Sequence, residues 1–446
     1  MTQTEKMLNT PVNKLVASLA IPAIISMLVT NIYNLVDTAF IGTLGTSASG
    51  AVGVVFGYMA IIQAIGFMFG QGSGIMMSRN LGDGNTKVGN MYASTGVFAS
   101  TLIGVIFAVV TAIWMDPIIT FLGSTPTIAP YAKEYIKYIL IAAPAMTASF
   151  ALNNILRFEG RAKLGMIGLI SGAALNILGD AVFIFKFDMG ITGAGLSTCI
   201  SQYIGVLILA VPFIRRKTIV TLNPKFASLK FSVYREVAGI GFPSLIRQGL
   251  TSIATIILNN LAGQYSDAAV AAMSISTRIS FLAFGVALGI GQGFQPVSSF
   301  SYGAKKFRRL RDSLAFTMVT AETVLCCLLS VIFIFAPKLI WMFRHDMAVV
   351  EIGQSALRYL VASMALLAAS SLCEMLFQTT GKSGYASILA ALRNGLIFIP
   401  ALIIFESLWG LKGIIIAQPV AYVLTYIPSF ILLYRYLKYE LPKEDS

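Results

Sequence analysis

The chain has 446 residues, of which 57% are hydrophobic and only 11% are charged. Soluble domains carry about 25% charged residues, so this composition excludes an ordinary water-soluble globule. The formal net charge of +13 would suit a nucleic-acid-binding protein, but basic residues in loops beside membrane spans account for such a charge equally well.

Apolar segments of about twenty residues or more recur along the chain, and each could cross a hydrocarbon core of about 30 Å. We predict twelve transmembrane helices, at 15–41, 48–77, 88–115, 131–156, 163–185, 190–214, 234–264, 269–300, 309–336, 351–377, 385–405 and 411–434. Residues 1–14 are polar and precede a span longer than a signal-peptide core, so we expect no cleaved leader. The four cysteines lie in apolar segments, which indicates packing and not a disulfide framework.

Most basic residues fall on one side of this predicted topology, the side that carries both termini. Clusters on that side include Arg215-Arg216-Lys217 and Lys305-Lys306. The opposite side has only Lys133, Lys186, Lys338, Arg344 and Lys412. Lysine and arginine accumulate in cytoplasmic loops, so we predict that both termini are cytoplasmic and that no nucleic-acid partner is needed.

The two halves of the chain repeat each other at an offset of 221 residues. Matching pairs are Pro22 and Pro243, Gly42 and Gly263, Gly70-Gln71-Gly72 and Gly291-Gln292-Gly293, Gly82 and Gly303, Tyr138 and Tyr359, and Gly160 and Gly381. The fold class predicted is therefore an all-α polytopic membrane protein with two six-helix lobes, related by a pseudo-two-fold axis along the membrane normal. We expect an N-terminal lobe at 1–215, a cytoplasmic linker at 216–233 and a C-terminal lobe at 234–446.

Pro22 and Pro243 lie inside the first predicted helix of each lobe. A proline within a helix frees a carbonyl group and permits a kink. Pro22 is therefore a candidate hinge for rocking of the lobes, and the alternative is a static packing kink. The two Gly-Gln-Gly segments favour close helix packing over a binding loop.

Two aspartates lie inside predicted spans, where a charged residue costs about 2.5–3.5 kcal/mol. Asp37 and Asp180 lie near the outer ends of the first and fifth spans, at a similar predicted depth. Asn176 is one turn before Asp180, and Thr198 on the sixth span reaches nearly the same level. These four oxygen-bearing side chains suit a small hard cation such as Na+, or proton exchange. The alternative is that both acids are wetted by the outer interface.

The second half of the repeat lacks these polar groups. The counterparts of Asp37 and Asn176 are Leu258 and Ile397, and that of Asp180 is Ala401 or Pro400. We therefore expect the cation site in the first lobe only. Glu374 is a candidate second coupling acid or substrate-cavity acid, with a structural ion pair as the alternative.

Several motifs resemble the multidrug and toxic compound extrusion (MATE) family over essentially the whole chain. They are Pro22, the run from Val36 to Gly45 (VDTAFIGTLG), the glycines at 70 and 72, and Arg157-Phe158-Glu159-Gly160. The segments 291–296 (GQGFQP) and 301–306 (SYGAKK) look like the bacterial multidrug-efflux members close to the DinF branch.

The resemblance implies antiport by alternating access, in the bacterial inner membrane, of bulky and mostly cationic or aromatic compounds against H+ or Na+. It implies that Asp37, Asn176, Asp180 and Thr198 form the coupling-cation site and that Tyr33 and Asn153 line the cavity. Because the sequence has no P-loop, an ion gradient must supply the energy, and we expect no cofactor. We expect a monomer that has small-molecule substrates and membrane lipids as its partners.

Two alternatives belong to other functional classes. One is a flippase or exporter of a lipid-linked or narrow metabolite substrate, and twelve spans favour the drug exporter over it. The other is an intramembrane enzyme, but the only histidine, His345, falls on an outer loop and no nucleophile and base are paired. We therefore expect that the chain is not an enzyme. Oxygen ligands do not discriminate between H+ and Na+.

Overall fold

The computed structural model describes residues 2–443 and 445, and within them it consists of helices with no strand. Twelve long helices follow one another in chain order. They are α1 (Val12–Gly42), α2 (Thr46–Gly82), α3 (Thr86–Ile113), α4 (Ala129–Phe158), α5 (Ala162–Lys186), α6 (Gly190–Ile214), α7 (Phe231–Gly263), α8 (Asp267–Gly303), α9 (Phe307–Phe343), α10 (Met347–Thr379), α11 (Ser383–Trp409) and α12 (Leu411–Glu440). Short helices occupy Gln3–Asn9 and Met115–Phe121.

Each of the twelve predicted spans corresponds to one of these helices. Eleven of the helices are long and apolar enough to cross a membrane by length and composition. The remaining one, α7, has 33 residues but is less apolar because it carries Arg247, Gln248 and Asn259. The largest error in the predicted ends is in α9, which continues through Pro337 to Phe343.

The described chain divides into two compact units that do not coincide with its two halves. The first unit contains residues 2–9 and 25–245, and the second contains residues 10–24 and 246–443. Helix α1 therefore changes unit after Ile24, and α7 changes unit after Leu245. These two positions are one repeat offset apart. The predicted lobe boundaries follow the covalent repeat and stay a prediction.

The Gly-Gln-Gly segments bring helix backbones close together inside each unit. In the first unit, a Cβ atom on Gly72 of α2 would overlap the backbone carbonyl of Val237 in α7. In the second unit, a Cβ atom on the repeat-related Gly293 of α8 would lie 2.6 Å from the backbone nitrogen of Ala20 in α1. The structure thus confirms the prediction of close packing at these glycines.

The segment that joins α6 to α7 lies along the start of α3, and its backbone N–H groups donate hydrogen bonds to side chains there. The N–H groups of Thr221 and Ser228 donate to the side chains of Asn90 (2.9 Å) and Thr95 (2.9 Å). The N–H of Ile219 donates to the carboxyl group of Glu159, just beyond the end of α4. Three side chains of the first unit therefore fix the backbone of this linker.

Glu159 is fully buried beneath the linker, and burial raises the pKa of its carboxyl group to about 8, against the opposing effect of Arg161. A carboxyl group with a raised pKa binds more protons in the folded state than in the unfolded state. The stability it provides is therefore present below its ordinary pKa of 4.5 and is lost as pH rises through about 8.

We expect Glu159→Gln to remove this part of the pH dependence, because the amide keeps the shape and cannot ionise. The measurement is the melting temperature of detergent-purified protein from about pH 5 to about pH 9, the range that brackets the titration. Glu134→Gln is the matched control, since Glu134 is an exposed glutamate on α4. Parallel pH profiles for wild type and Glu159→Gln would contradict the assignment.

We expect Gly72→Ala to lower the free energy of unfolding by about 1–3 kcal/mol, because the added methyl group meets a backbone carbonyl and not a flexible side chain. Thermal unfolding in detergent measures this loss. Gly53→Ala is the control on the same helix, since a Cβ atom there has nothing within 4 Å. Equal melting temperatures for the two variants would refute the close approach of α2 and α7.

Candidate functional site

The four predicted cation-site residues all lie in the first unit. Asp37 lies in the part of α1 that belongs to this unit, Asn176 and Asp180 lie on α5, and Thr198 lies on α6. Asn176, Asp180 and Thr198 are at most 1% exposed, and Asp37 is half-buried. Three of these four polar side chains are therefore almost completely buried inside the protein.

The carboxyl groups of Asp37 and Asp180 lie close enough to each other to share a hydrogen bond. Two ionised carboxylates have only acceptors, so this contact requires a proton or a cation between them. One oxygen of each acid, Oδ1, is buried and has no hydrogen-bond partner among the described residues. Leaving a buried carboxylate oxygen unpaired is costly, so both oxygens fit a proton or a small hard cation such as Na+.

Asn176 orients Asp180 from one turn earlier on the same face of α5. With its amide nitrogen toward the acid, Asn176 donates to Asp180 Oδ2 at 3.1 Å, and its amide oxygen accepts from the backbone N–H of Thr198 at 3.2 Å. The hydroxyl of Ser197 donates to the backbone carbonyl of Asn176 at 2.9 Å. These bonds tie α5 to α6 beside the acids.

Helix α5 changes its winding directly after Asp180. Residues Ala162–Asp180 form a regular α-helix, and Ala181–Lys186 continue as a π-helix. Short π-helical segments are rare and occur frequently at functional sites. The change in winding alters the phase of the side chains that follow the acid, and the sequence pattern does not reveal it.

Two tyrosines lie next to this cluster. Tyr33 is one turn before Asp37 on α1 and is close enough to interact electrostatically with Asp37 and Asp180. Tyr135 of α4 is 1% exposed and lies next to Thr198. The sequence analysis identified Tyr33 through the family resemblance and missed Tyr135, which carries no local signal.

The other two predicted cavity residues lie apart from the acids. Asn153 is eighteen residues after Tyr135 on α4, which is about 27 Å of helical rise, and its amide lies next to Gly165 of α5. Glu374 belongs to the second unit, where its Oε1 accepts from Arg247 at 2.7 Å and its Oε2 accepts from Arg393 at 2.8 Å. That Asn153 and Glu374 line a substrate cavity stays a prediction.

No group of three or more His, Cys, Asp or Glu side chains that could hold a metal ion occurs among residues 2–443 and 445. Any cation at the aspartate pair would therefore be held by two carboxylates together with amide and hydroxyl oxygens. That donor set suits a weakly held alkali cation or a proton more than a tightly bound transition metal.

The chain matches known proteins over nearly its whole length. The MatE family model matches residues 22–182 and 243–404, which are the two halves of the repeat. The multidrug export protein MepA of Staphylococcus aureus (strain NCTC 8325) is 28% identical over 425 residues, which cover 95% of this chain and 94% of MepA. MepA of Staphylococcus saprophyticus is 26% identical over 93% of this chain and 92% of that protein.

A solved structure described as the outward-facing conformation of a multidrug resistance MATE family transporter of the MOP superfamily has a TM-score of 0.91 and 25% identity, covering 97% of each chain. A MATE structure in a bent conformation has a TM-score of 0.90 at the same identity and coverage. These likenesses confirm the predicted fold class of twelve transmembrane helices in two six-helix lobes. The DinF branch is not tested and stays a prediction. The chain belongs to the MATE family of multidrug efflux transporters.

Proposed function

We propose that the chain exports bulky, mostly cationic organic compounds across the bacterial inner membrane in exchange for inward H+ or Na+. The observation that carries this proposal is the contact between Asp37 and Asp180, in which each acid keeps one buried oxygen without a partner. Such a pair exchanges between a state neutralised by a proton or cation and a charged state that attracts a cationic compound.

Competition for this one site would couple the two fluxes. A ligand shifts a conformational equilibrium only by its differential affinity for the two states, so ion and compound must favour opposite states. An inward monovalent cation moving through 100 mV releases about 2.3 kcal/mol, which offsets the electrical cost of exporting one monovalent cation. The oxygen ligands at the aspartates serve either H+ or Na+. We also propose that both termini are cytoplasmic and that the working unit is a monomer.

Helix α1 is the candidate moving part in this cycle. Pro22 removes a backbone donor inside α1, so the helix is weakened at the position where bending would be needed. The helix changes unit two residues later, after Ile24, and α7 changes unit two residues after Pro243. We propose that α1 bends at Pro22 when the ligand bound at Asp37, fifteen residues further along, changes. This bending would couple binding at Asp37 to the alternating-access motion.

The first test is transport by Asp37→Asn, which keeps the shape of the side chain but cannot change charge. We expect ethidium transport in energised inverted vesicles to fall at least about tenfold, because loss of a buried charge partner costs more than the roughly 1.4 kcal/mol that a tenfold change represents. Proton and sodium gradients are imposed separately, so that the ion that drives wild-type transport is identified.

Asp116→Asn is the matched control, since Asp116 pairs with Lys133 and has a side chain that is 70% exposed. All proteins are compared at equal amounts in the membrane. Undiminished gradient-driven transport by Asp37→Asn would refute the coupling role of the acid. If wild type exports none of several cationic dyes under either gradient, a flippase or an exporter of a narrow metabolite becomes the better assignment.

The second test is the effect of cations on stability. We expect Na+ or acidification to raise the melting temperature of purified wild type by several degrees, because a ligand at a hundred times its dissociation constant stabilises by about 2.7 kcal/mol. Asp180→Asn should show little response, since the amide removes one of the two facing carboxylates. Choline chloride at equal concentration controls for ionic strength. The cation site is refuted if wild type and Asp180→Asn respond equally to both Na+ and acid.

A further inference from the structure

The linker between α6 and α7, residues 215–230, carries large apolar side chains that the other turns on the predicted cytoplasmic side lack. Leu229 is 96% exposed, and Phe231, the first residue of α7, is 80% exposed. The other turns are short and contain no large apolar residue, at 83–85 (DGN), 159–161 (EGR), 304–306 (AKK) and 380–382 (TGK). An exposed leucine and phenylalanine two residues apart are unfavourable in water, which favours an apolar phase as their surroundings.

The neighbouring helix α3 shows where that apolar phase begins. Its exposed large apolar side chains include Phe98, Leu102, Ile106, Val109 and Ile113. Their spacing of three or four residues places them on one face of the helix. On a membrane-spanning helix, a continuous exposed apolar face contacts the hydrocarbon of the bilayer. Phe98 is the member of this stripe nearest to the start of α3.

The linker lies on the continuation of the same stripe. One turn before Phe98, Thr95 is fully buried, and its hydroxyl accepts from the backbone N–H of Ser228 at 2.9 Å. Thr95 is about 14 Å of helical rise from the start of α3, and Phe98 is about 5 Å further along. Leu229 is the residue after Ser228, so it lies close to the level at which the hydrocarbon-facing stripe begins.

The linker is also strongly basic. The sequence from 214 to 235 contains six basic residues and no acidic residue. The basic residues are Arg215, Arg216, Lys217, Lys225, Lys230 and Arg235. The next acid, Glu236, accepts from the hydroxyl of Tyr92 at 2.6 Å. Lys225 and Lys230 are exposed, and neither has a salt-bridge partner within residues 2–443 and 445.

Basic and apolar side chains at the edge of the hydrocarbon layer fit a membrane surface that carries negative charge. The apolar side chains can enter the region of the acyl chains, while the long lysine side chains reach the phosphate groups. Anionic lipids attract basic residues that lie next to the membrane. A protein partner could also cover an apolar side chain, but lipid already contacts the stripe that begins at Phe98. Lipid is therefore the occupant that this position favours.

We propose that residues 225–231 form an interfacial surface that binds anionic phospholipids. Lys225 and Lys230 contact the phosphate headgroups, and Leu229 and Phe231 insert between the acyl chains. The bonds from the linker backbone to α3 hold this surface in place before lipid binds, so little ordering entropy opposes binding. This lipid site does not depend on which compound the chain exports and goes beyond the function proposed above.

The test places a tryptophan on this surface. Leu229→Trp is introduced into a parent protein in which Trp114, Trp341 and Trp409 are replaced by phenylalanine, so that the fluorescence has one source. The protein is reconstituted into phosphatidylcholine vesicles, and phosphatidylglycerol or phosphatidylcholine with brominated acyl chains is titrated in as the quencher. Both quenchers carry bromine at the same acyl position. The ratio of their association constants therefore reports the preference for the headgroup at this site.

We expect the Leu229→Trp reporter to be quenched by both lipids and to prefer phosphatidylglycerol at least about fivefold, the factor that one lysine near an anionic surface contributes. Adding Lys225→Gln and Lys230→Gln should bring the ratio close to one while quenching persists. Lys87→Gln with Lys163→Gln is the matched control, because it removes two exposed lysines from the first turns of α3 and α5. We expect this control to keep the fivefold preference.

Several results would overturn the lipid site. Without quenching by either lipid, the surface does not contact the membrane. Equal quenching by the two lipids in the reporter protein means a membrane contact with no headgroup site, and so does an unchanged ratio after the replacement of Lys225 and Lys230. Loss of the preference in the control pair would assign it to overall charge. Quenching that grows as the protein is diluted with lipid would identify a second copy of the chain as the occupant. If Leu229→Trp fails to fold, Phe231→Trp supplies the same readout with the same criteria.

Discussion

One contact constrains the helices of the first unit, the close approach of the carboxyl groups of Asp37 and Asp180. Two carboxylates placed together away from water repel each other unless a proton or a cation lies between them. Asn176, which is itself bonded to Ser197 and Thr198, does not remove this constraint, because it donates to one oxygen of Asp180 and leaves the Oδ1 atoms of both acids unpartnered. The helices α1 and α5 thus hold two acids whose charge a proton or a small cation would neutralise, as the coupling role that we propose for them requires.

The path of α1 connects this imbalance to the rest of the chain. Residues up to Ile24 pack in the second unit, and Asp37 lies in the part of the same helix that belongs to the first unit. The close approach of Gly293 to Ala20 fixes the first part, since no side chain separates the two backbones. Pro22 lies near the change of unit, where the helix has lost one hydrogen bond. In the motion that we propose, a change at Asp37 would therefore be transmitted along α1 and would bend the helix at Pro22.

Hydropathy predicted the twelve helices because membrane insertion demands about twenty apolar residues, and this signal is local. It failed at the end of α9, where Pro337 suggested a boundary and the helix continues to Phe343. The free-energy cost of placing a charge inside the membrane identified Asp37 and Asp180 as candidate site residues. The spacing of one helical turn then added Asn176 to the predicted site. The partner Tyr135 and the π-helix after Asp180 could not be predicted, because the first depends on the packing of α4 against α6 and the second on a winding change with no residue signature.

The two halves of the repeat share their close glycine contacts but differ in their buried charges. At the offset of 221 residues, Asp37 corresponds to Leu258, and in the other direction Arg247, Glu374 and Arg393 correspond to Ser26, Asn153 and Gly172. The glycine contacts that hold the helices together recur in both halves, whereas every buried charge occurs in one half only. Packing requirements act on both copies equally, whereas a buried charge that occurs in one half needs a partner of its own, as Glu159 has in the backbone N–H of Ile219 and Glu374 has in Arg247 and Arg393. The acid pair of the first unit differs from both, because Asp37 and Asp180 face each other without a salt bridge to a basic side chain among the described residues, which is why we propose this pair as the coupling site.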